Sequence, residues 1–308
     1  MSYSAKHLGM KHHFKWLAVL TLVAAIVSCR FYFDTTRNNF STHTTSTTVQ
    51  NGKNLTHNIC GGCHYDRSTK KFIGKKINDL PGIGGRLYSA NLTQSASNGI
   101  PPTYSDAELF YLLKTGISRK GKFMPYMMKP MMADEDINDI ITYLRSGDEA
   151  VTAADTTVGL THINWLGKIF IRAASKKPTP YNKGVVRPDE NDAVIYGRYL
   201  VAVVGCYHCH SSSALKVDFL QPENSKGYMQ GGMKLKSSNG KIRSANLTPD
   251  NETGIGNFSL VDLSNAIREG NAPGGRQLRP PMPKFRDLTD KQVSAIYSYL
   301  RTLAPVHR

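Results

Sequence analysis

The pentapeptide Cys-x-x-Cys-His occurs twice in this chain, as Cys60-Gly61-Gly62-Cys63-His64 and as Cys206-Tyr207-His208-Cys209-His210. Each copy puts two sulfurs and an imidazole on one tight turn. That set suits thioether attachment of a c-type haem, with the histidine held as an axial iron ligand. Two other chemistries use the same residues. A zinc site needs a closed set of four Cys or His ligands. A disulfide in an oxidising compartment leaves the histidine without a role. The histidine directly after the second cysteine in both copies favours haem, and the two copies together use four of the five cysteines.

Around the motifs the chain repeats itself, and the repeat sets the architecture. Gly52-Lys53-Asn54-Leu55 stands before the first motif and Gly197-Arg198-Tyr199-Leu200 before the second. Ser89-Ala90-Asn91-Leu92-Thr93 returns as Ser244-Ala245-Asn246-Leu247-Thr248. Met124-Pro125 returns as Met282-Pro283, and Tyr143-Leu144-Arg145 as Tyr299-Leu300-Arg301. Two units follow, residues 49–147 and 192–308. They are joined by a linker over 148–191 that holds Pro178, Pro180 and Pro188.

Helical signals dominate both units. Ser105 and Glu108 form a capping box, and the helix they start should end at Gly116. Leu109, Leu112 and Leu113 give it an apolar face. Ser259 opens the counterpart, with Leu260, Leu263 and Ile267 facing inward. Ile137, Ile140, Ile141 and Leu144 have the spacing of one helical face. Val293, Ile296, Tyr297 and Leu300 repeat that spacing, behind a capping box of Thr289 and Gln292. No segment alternates well enough for a sheet, so the expected fold class is all-α.

Lys6, Lys11 and Lys15 precede an apolar run from Trp16 to Val27. The run is short for a membrane span and suits a signal peptide over residues 1–28. Ile26-Val27-Ser28-Cys29 resembles a lipoprotein box, which makes Cys29 a lipid-attachment candidate and accounts for the odd cysteine. Cleavage elsewhere, or an uncleaved anchor running on through Phe31-Tyr32-Phe33, are the alternatives, and all three export the chain. Residues 29–48 read as a polar tether. The net charge of +16 is spread along the chain: residues 49–147 carry 13 basic and 8 acidic side chains, residues 192–308 carry 15 and 9. Without a basic stripe interleaved with aromatics, nucleic acid is not an expected partner. Lys70, Lys71, Lys75 and Lys76 read as a solvated loop, with a docking patch for an acidic partner as the alternative. Gly82-Ile83-Gly84-Gly85 fails a dinucleotide fingerprint, because Leu87 stands where the third glycine belongs.

Each unit resembles a class I cytochrome c domain, with an N-terminal helix, Cys-x-x-Cys-His, loops, a Met-Pro loop and a last helix ending in Tyr-Leu. The second is also similar to the cytochrome c subunits of membrane-bound alcohol, aldehyde and gluconate dehydrogenases. That likeness rests on Asn246-Leu247-Thr248-Pro249-Asp250, Gly254-Ile255-Gly256, Ile267-Arg268-Glu269-Gly270 and Pro281-Met282-Pro283. Those subunits usually carry three haem domains, where this chain shows two. The resemblance implies two tandem haem c domains. Cys60, Cys63, Cys206 and Cys209 would hold the haems, and His64 and His210 would be the proximal ligands. Met282 would be one sixth ligand, and Met124, chosen from Met124, Met127, Met128, Met131 and Met132, the other. Met229 and Met233 are expected in loops or core, and His57 and His208 as exposed or local hydrogen-bonding residues. The implied function is electron transfer without a reaction of its own, on the periplasmic side of a bacterial membrane. The partners would be a dehydrogenase, an oxidase or another cytochrome. A dihaem peroxidase is the competing enzyme reading.

Overall fold

The computed structural model describes residues 40–77, 84–156, 158–167, 178–181, 184–237 and 240–308. The signal peptide, Cys29 and the Gly82-Ile83 step lie outside the described residues. The first unit contains α1 (Ser46–Leu55), α2 (Gly61–His64), α3 (Asp106–Thr115) and α4 (Asp134–Leu144). The second contains α5 (Ala193–Val204), α6 (Cys206–His210), α7 (Leu260–Glu269) and α8 (Asp290–Arg301). Among the described residues no helix is long and apolar enough to cross a membrane.

The same helix crossing builds both units. A Cβ at Gly52 would sit 1.8 Å from the Asp139 carbonyl oxygen, and one at Gly197 would sit 1.9 Å from that of Ala295. Only glycine lets α1 meet α4, and α5 meet α8, at backbone contact. The apolar faces read from the sequence then bury: Ile137, Ile140, Ile141 and Leu144 on α4, and Val293, Ile296 and Leu300 on α8. Burial of each such side chain contributes roughly 1.5–3 kcal/mol. Ser105 with Glu108, Ser259 with Asp262, and Thr289 with Gln292 all form complete capping boxes. The middle helices stop at Gly116 (φ 75°) and Gly270 (φ 77°), both left-handed. Leu260 is a correction: at 39 % exposed it faces solvent, and Leu263 and Ala266 carry that face.

The all-α expectation is also corrected, because short strands accompany the helices. β1 (Lys76–Ile77), β2 (Gly85–Tyr88) and β3 (His162–Ile163) form a three-stranded antiparallel sheet. β4 (Lys234–Ser237) pairs with β5 (Gly240–Arg243), and β6 (Asn271–Ala272) with β7 (Arg276–Gln277). At two to four residues each, they are too short for alternation to register. Left-handed Gly274 and Gly275, at φ 74° and 72°, turn the last hairpin.

The linker and the described part of the tether dock on the first unit. Phe40 packs on Phe110 with tilted rings whose centroids are 4.2 Å apart, and Thr42 bonds the Asp106 carboxylate. Ser46 already begins α1, so residues 40–48 are docked chain rather than free tether. The Ala150 carbonyl accepts from Phe72, and Val151 is fully buried. β3 extends the sheet. Thr179 donates to the Lys114 carbonyl at 2.7 Å. Arg187 spans Asp136 at 2.5 Å and Asp139 at 2.8 Å.

Candidate haem-attachment sites

A five-residue π-helical turn, Thr56–Cys60, carries α1 into α2 and brings Cys60, Cys63 and His64 onto one short arc. In the second unit Gly205, left-handed at φ 87°, breaks α5 and starts α6 with Cys206. The two routes differ, but the histidines end in the same surroundings. His64 is 6 % exposed and His210 8 %. Nδ1–H of His64 donates to the Ala90 carbonyl at 2.8 Å, and Nδ1–H of His210 donates to the Ala245 carbonyl at 2.8 Å. A carbonyl only accepts, so the bond fixes the tautomer and leaves Nε2 of each ring with its lone pair, as a metal-ligating histidine requires. Burial holds both imidazoles below their ordinary pKa, with the carbonyl bond opposing it, so each is neutral as an iron ligand requires.

The Ser-Ala-Asn-Leu-Thr repeat is the part of this site that the sequence displayed without disclosing its role. Its alanine supplies the carbonyl that orients the histidine. Asn91 caps the segment by donating to the Ala154 carbonyl at 2.8 Å and accepting from the Thr93 N–H at 2.9 Å. Asn246 does the same with the Val306 carbonyl at 2.7 Å and the Thr248 N–H at 3.0 Å. Leu92 N–H bonds the Phe72 carbonyl, and Leu247 N–H that of Met229. Gly74 and Gly231 donate to the carbonyls of His64 and His210. Both glycines have positive φ, and a Cβ on either would strike this repeat within 2.3 Å. Ala154 thus stands where Val306 stands, and the first unit runs into the linker as far as residue 155, where Asp155 accepts from Ser95.

Among the described residues no disulfide joins the four motif cysteines. Burial pushes Cys60 and Cys206 up to about 12. A zinc site binds thiolate, a form that burial disfavours at Cys60 and Cys206. Among the described residues no three His, Cys, Asp or Glu side chains converge to hold a metal ion. Uncharged sulfur, with a histidine whose Nε2 alone is left to coordinate, fits covalent haem.

The methionines separate by exposure. Met128, Met132 and Met229 are buried at 2 %, 1 % and 0 %, and Met233 at 7 %, as packing residues. Met124 is 36 % exposed, Met131 38 %, and Met127 and Met282 are half-buried. Both Met-Pro loops are pinned to the middle helix at matching carbonyls. Gly116 accepts from Met124 N–H and Leu113 from Lys129 N–H; Gly270 accepts from Leu278 N–H and Ile267 from Phe285 N–H. Met124 therefore lies five residues before its second pin and Met282 three. Pin to pin the first loop spans five residues and the second seven, so Met124 is itself the first pin of its loop, whereas Met282 stands four residues past Leu278.

His57 is half-buried, in ring contact with Tyr65, Phe72 and Tyr143, with Nε2 3.3 Å from the Tyr143 hydroxyl. His208 departs from expectation. Its ring packs on Tyr207 and Phe219, its Nε2 is buried with no hydrogen-bond partner, and burial lowers its pKa to about 3. Lys71 is tied to the linker through the Glu149 carbonyl and the Thr152 hydroxyl, so the basic run is only partly a free loop.

Comparison with known proteins gives the same picture. Residues 49–148 match the cytochrome c family. The chain is 31 % identical over 149 residues to a fructose dehydrogenase cytochrome subunit of Gluconobacter japonicus, covering 48 % of this chain and 27 % of that one. It is 37 % identical over 120 residues to a gluconate 2-dehydrogenase cytochrome c subunit of Pantoea cypripedii, covering 38 % of this chain and 25 % of that one. A diheme cytochrome c-type protein of Cereibacter sphaeroides is 26 % identical over 106 residues, or 34 % of each chain. The chain thus spans between a quarter and about a third of these relatives' lengths. Residues 49–148 form a domain of the cytochrome c family, whose members bind haem c covalently, in a chain similar to the cytochrome c subunits of sugar and alcohol dehydrogenases.

Proposed function

We propose that the chain is a dihaem c-type cytochrome that carries electrons between a dehydrogenase, or another donor, and a respiratory acceptor. The observation that carries this reading is the repeated proximal bond, His64 to Ala90 and His210 to Ala245, each at 2.8 Å. It supports two centres of one build, one in residues 49–147 with its extension into the linker and one in residues 192–308.

Bound haem supplies a one-electron iron couple. The chain's residues do the rest. Cys60 with Cys63, and Cys206 with Cys209, would hold the group through uncharged thioethers. His64 and His210 offer Nε2 from rings whose tautomer is already set. Met124 and Met282 would supply the thioether ligands, from loops tied to the middle helices by backbone bonds. A thioether there raises the potential and closes the iron to outside ligands, which suits a carrier with no reaction of its own. Signal peptide 1–28 would direct export, and a lipid on Cys29 would hold the carrier at the periplasmic face of the membrane.

The test is the absorption spectrum of the exported chain with two variants. The wild type should show a methionine–iron band near the red end, and Met124→Ala and Met282→Ala should each remove about half of it. A band that survives Met124→Ala intact gives the first iron another ligand. Peroxide turnover by the wild type would favour the peroxidase reading instead.

A further inference from the structure

The two attachment turns meet at the boundary between the units, and one lysine stands between them. Val203, in the last turn of α5, is 2 % exposed and belongs to the core of the first unit, against which Ile59, Cys60 and Val204 pack. Lys129 follows the buried Met128, and its Nζ donates to the Val203 carbonyl at 3.3 Å. Its side chain lines a small cleft shared with Met132 from its own unit and with Ala202, Tyr207 and His208 from the other. Lys129 thus reaches from the Met-Pro loop of one site to the attachment turn of the other.

We propose, resting on the two-haem reading above, that Lys129 is a charge shared by both centres, raising both reduction potentials together. The sign follows from elementary electrostatics. Each iron takes up one electron and becomes less positive, so a fixed cation nearby favours the reduced state. The groups that bear on the Lys129 charge are Cys60, Cys63 and Cys206. As thioethers they carry no charge to offset it. Lys129 is half-buried; burial pushes its pKa down, and its ammonium is screened less than one in bulk water.

The experiment is a spectroelectrochemical titration of the full-length holoprotein as wild type, Lys129→Met and Lys129→Arg, with covalent haem counted in each. Lys129→Gln replaces the methionine variant should that one not fold. With two haems per chain, the neutral variants should lower both midpoint potentials, by up to tenfold in each reduction equilibrium, which is about 59 mV for one electron. The arginine variant should restore them. Two haems whose potentials do not move, or only one of which moves, overturn the proposal and leave the dihaem reading standing. One haem per chain overturns both.

Discussion

The last helix of the first unit and the last helix of the second answer to the same sequence pattern and live in different surroundings. On α4 every residue from Asp136 to Leu144 is buried. On α8 only Val293, Ala295, Ile296, Tyr299 and Leu300 are. The second helix starts on its own capping box, Thr289 with Gln292. The first has Ala133 at that position and no side-chain cap. Its opening N–H groups are satisfied from outside: Ala133 by the Tyr199 hydroxyl at 2.9 Å, and Asp134 by the Val185 carbonyl at 2.8 Å. Asp136, too, is met by Arg187 from the linker and Tyr199 from α5. The start of α8 is capped within its own unit, and the linker adds an exposed ion pair from Glu190 to Lys291. The first is completed by the linker and by its neighbour.

The largest expected effect is common to both units and so calibrates the comparison. Gly52→Val and Gly197→Val each force apart a helix pair at backbone contact, and each should cost about 3 kcal/mol or more in its own unit. Differential scanning calorimetry, with hydrogen exchange to assign each transition, reads this.

Arg187→Ala should break the symmetry. It leaves the Asp136 carboxylate, whose side chain is 4 % exposed, without its cation. Losing one partner of a buried pair costs about 3–5 kcal/mol, and it should fall on the first unit's transition alone. Equal loss in both transitions would mean the linker serves both units alike.

Thr289→Ala removes a cap and should cost about 1 kcal/mol, in the second unit only. In the first unit the equivalent lesion is Tyr199→Phe, which unsatisfies Ala133 N–H and Asp136 at about 1–3 kcal/mol although Tyr199 belongs to the second. Exchange protection at the start of α4 reads this directly.

The smallest effect is on acid stability. Burial works to raise the Asp148 carboxyl, but Lys53, the Ala150 N–H and the Tyr143 hydroxyl more than offset it and hold it below the usual range. A carboxyl depressed on folding adds stability that is full above the unfolded value of about 3.9 and is lost as pH falls through the folded one. Asp148→Asn should therefore lower the first unit's stability at neutral pH and flatten its acid limb, leaving the second unit's limb unchanged. Melting temperature against pH from about 2 to 7 tests it.

Local signals were legible in the sequence, and long-range ones were not. The capping boxes at Ser105 and Thr289, the left-handed stops at Gly116 and Gly270 and the buried stripe of α4 each lie within a few residues of chain. So does the turn that gathers Cys60, Cys63 and His64. Docking of the linker depends on Arg187 meeting Asp136 and on Tyr199 meeting Ala133, contacts between residues 51 and 66 positions apart. No periodicity encodes them. The role of Ala90 and Ala245 was hidden because a backbone carbonyl has no residue type. Only the repetition of the surrounding pentapeptide marked the place. His208 was misread because its burial is made by Phe219 and the unit boundary, not by its neighbours in sequence.

The central claim is that the second motif is a haem site of the same build as the first, although only the first lies in the stretch that matches the cytochrome c family. Proteolysis of the exported protein, followed by mass spectrometry of the peptides containing residues 60–64 and 206–210, tests it most directly. The account predicts that both peptides carry one haem through two thioethers. A second peptide recovered with Cys206 and Cys209 as unmodified thiols or as a disulfide, beside a haem-loaded first, would contradict it.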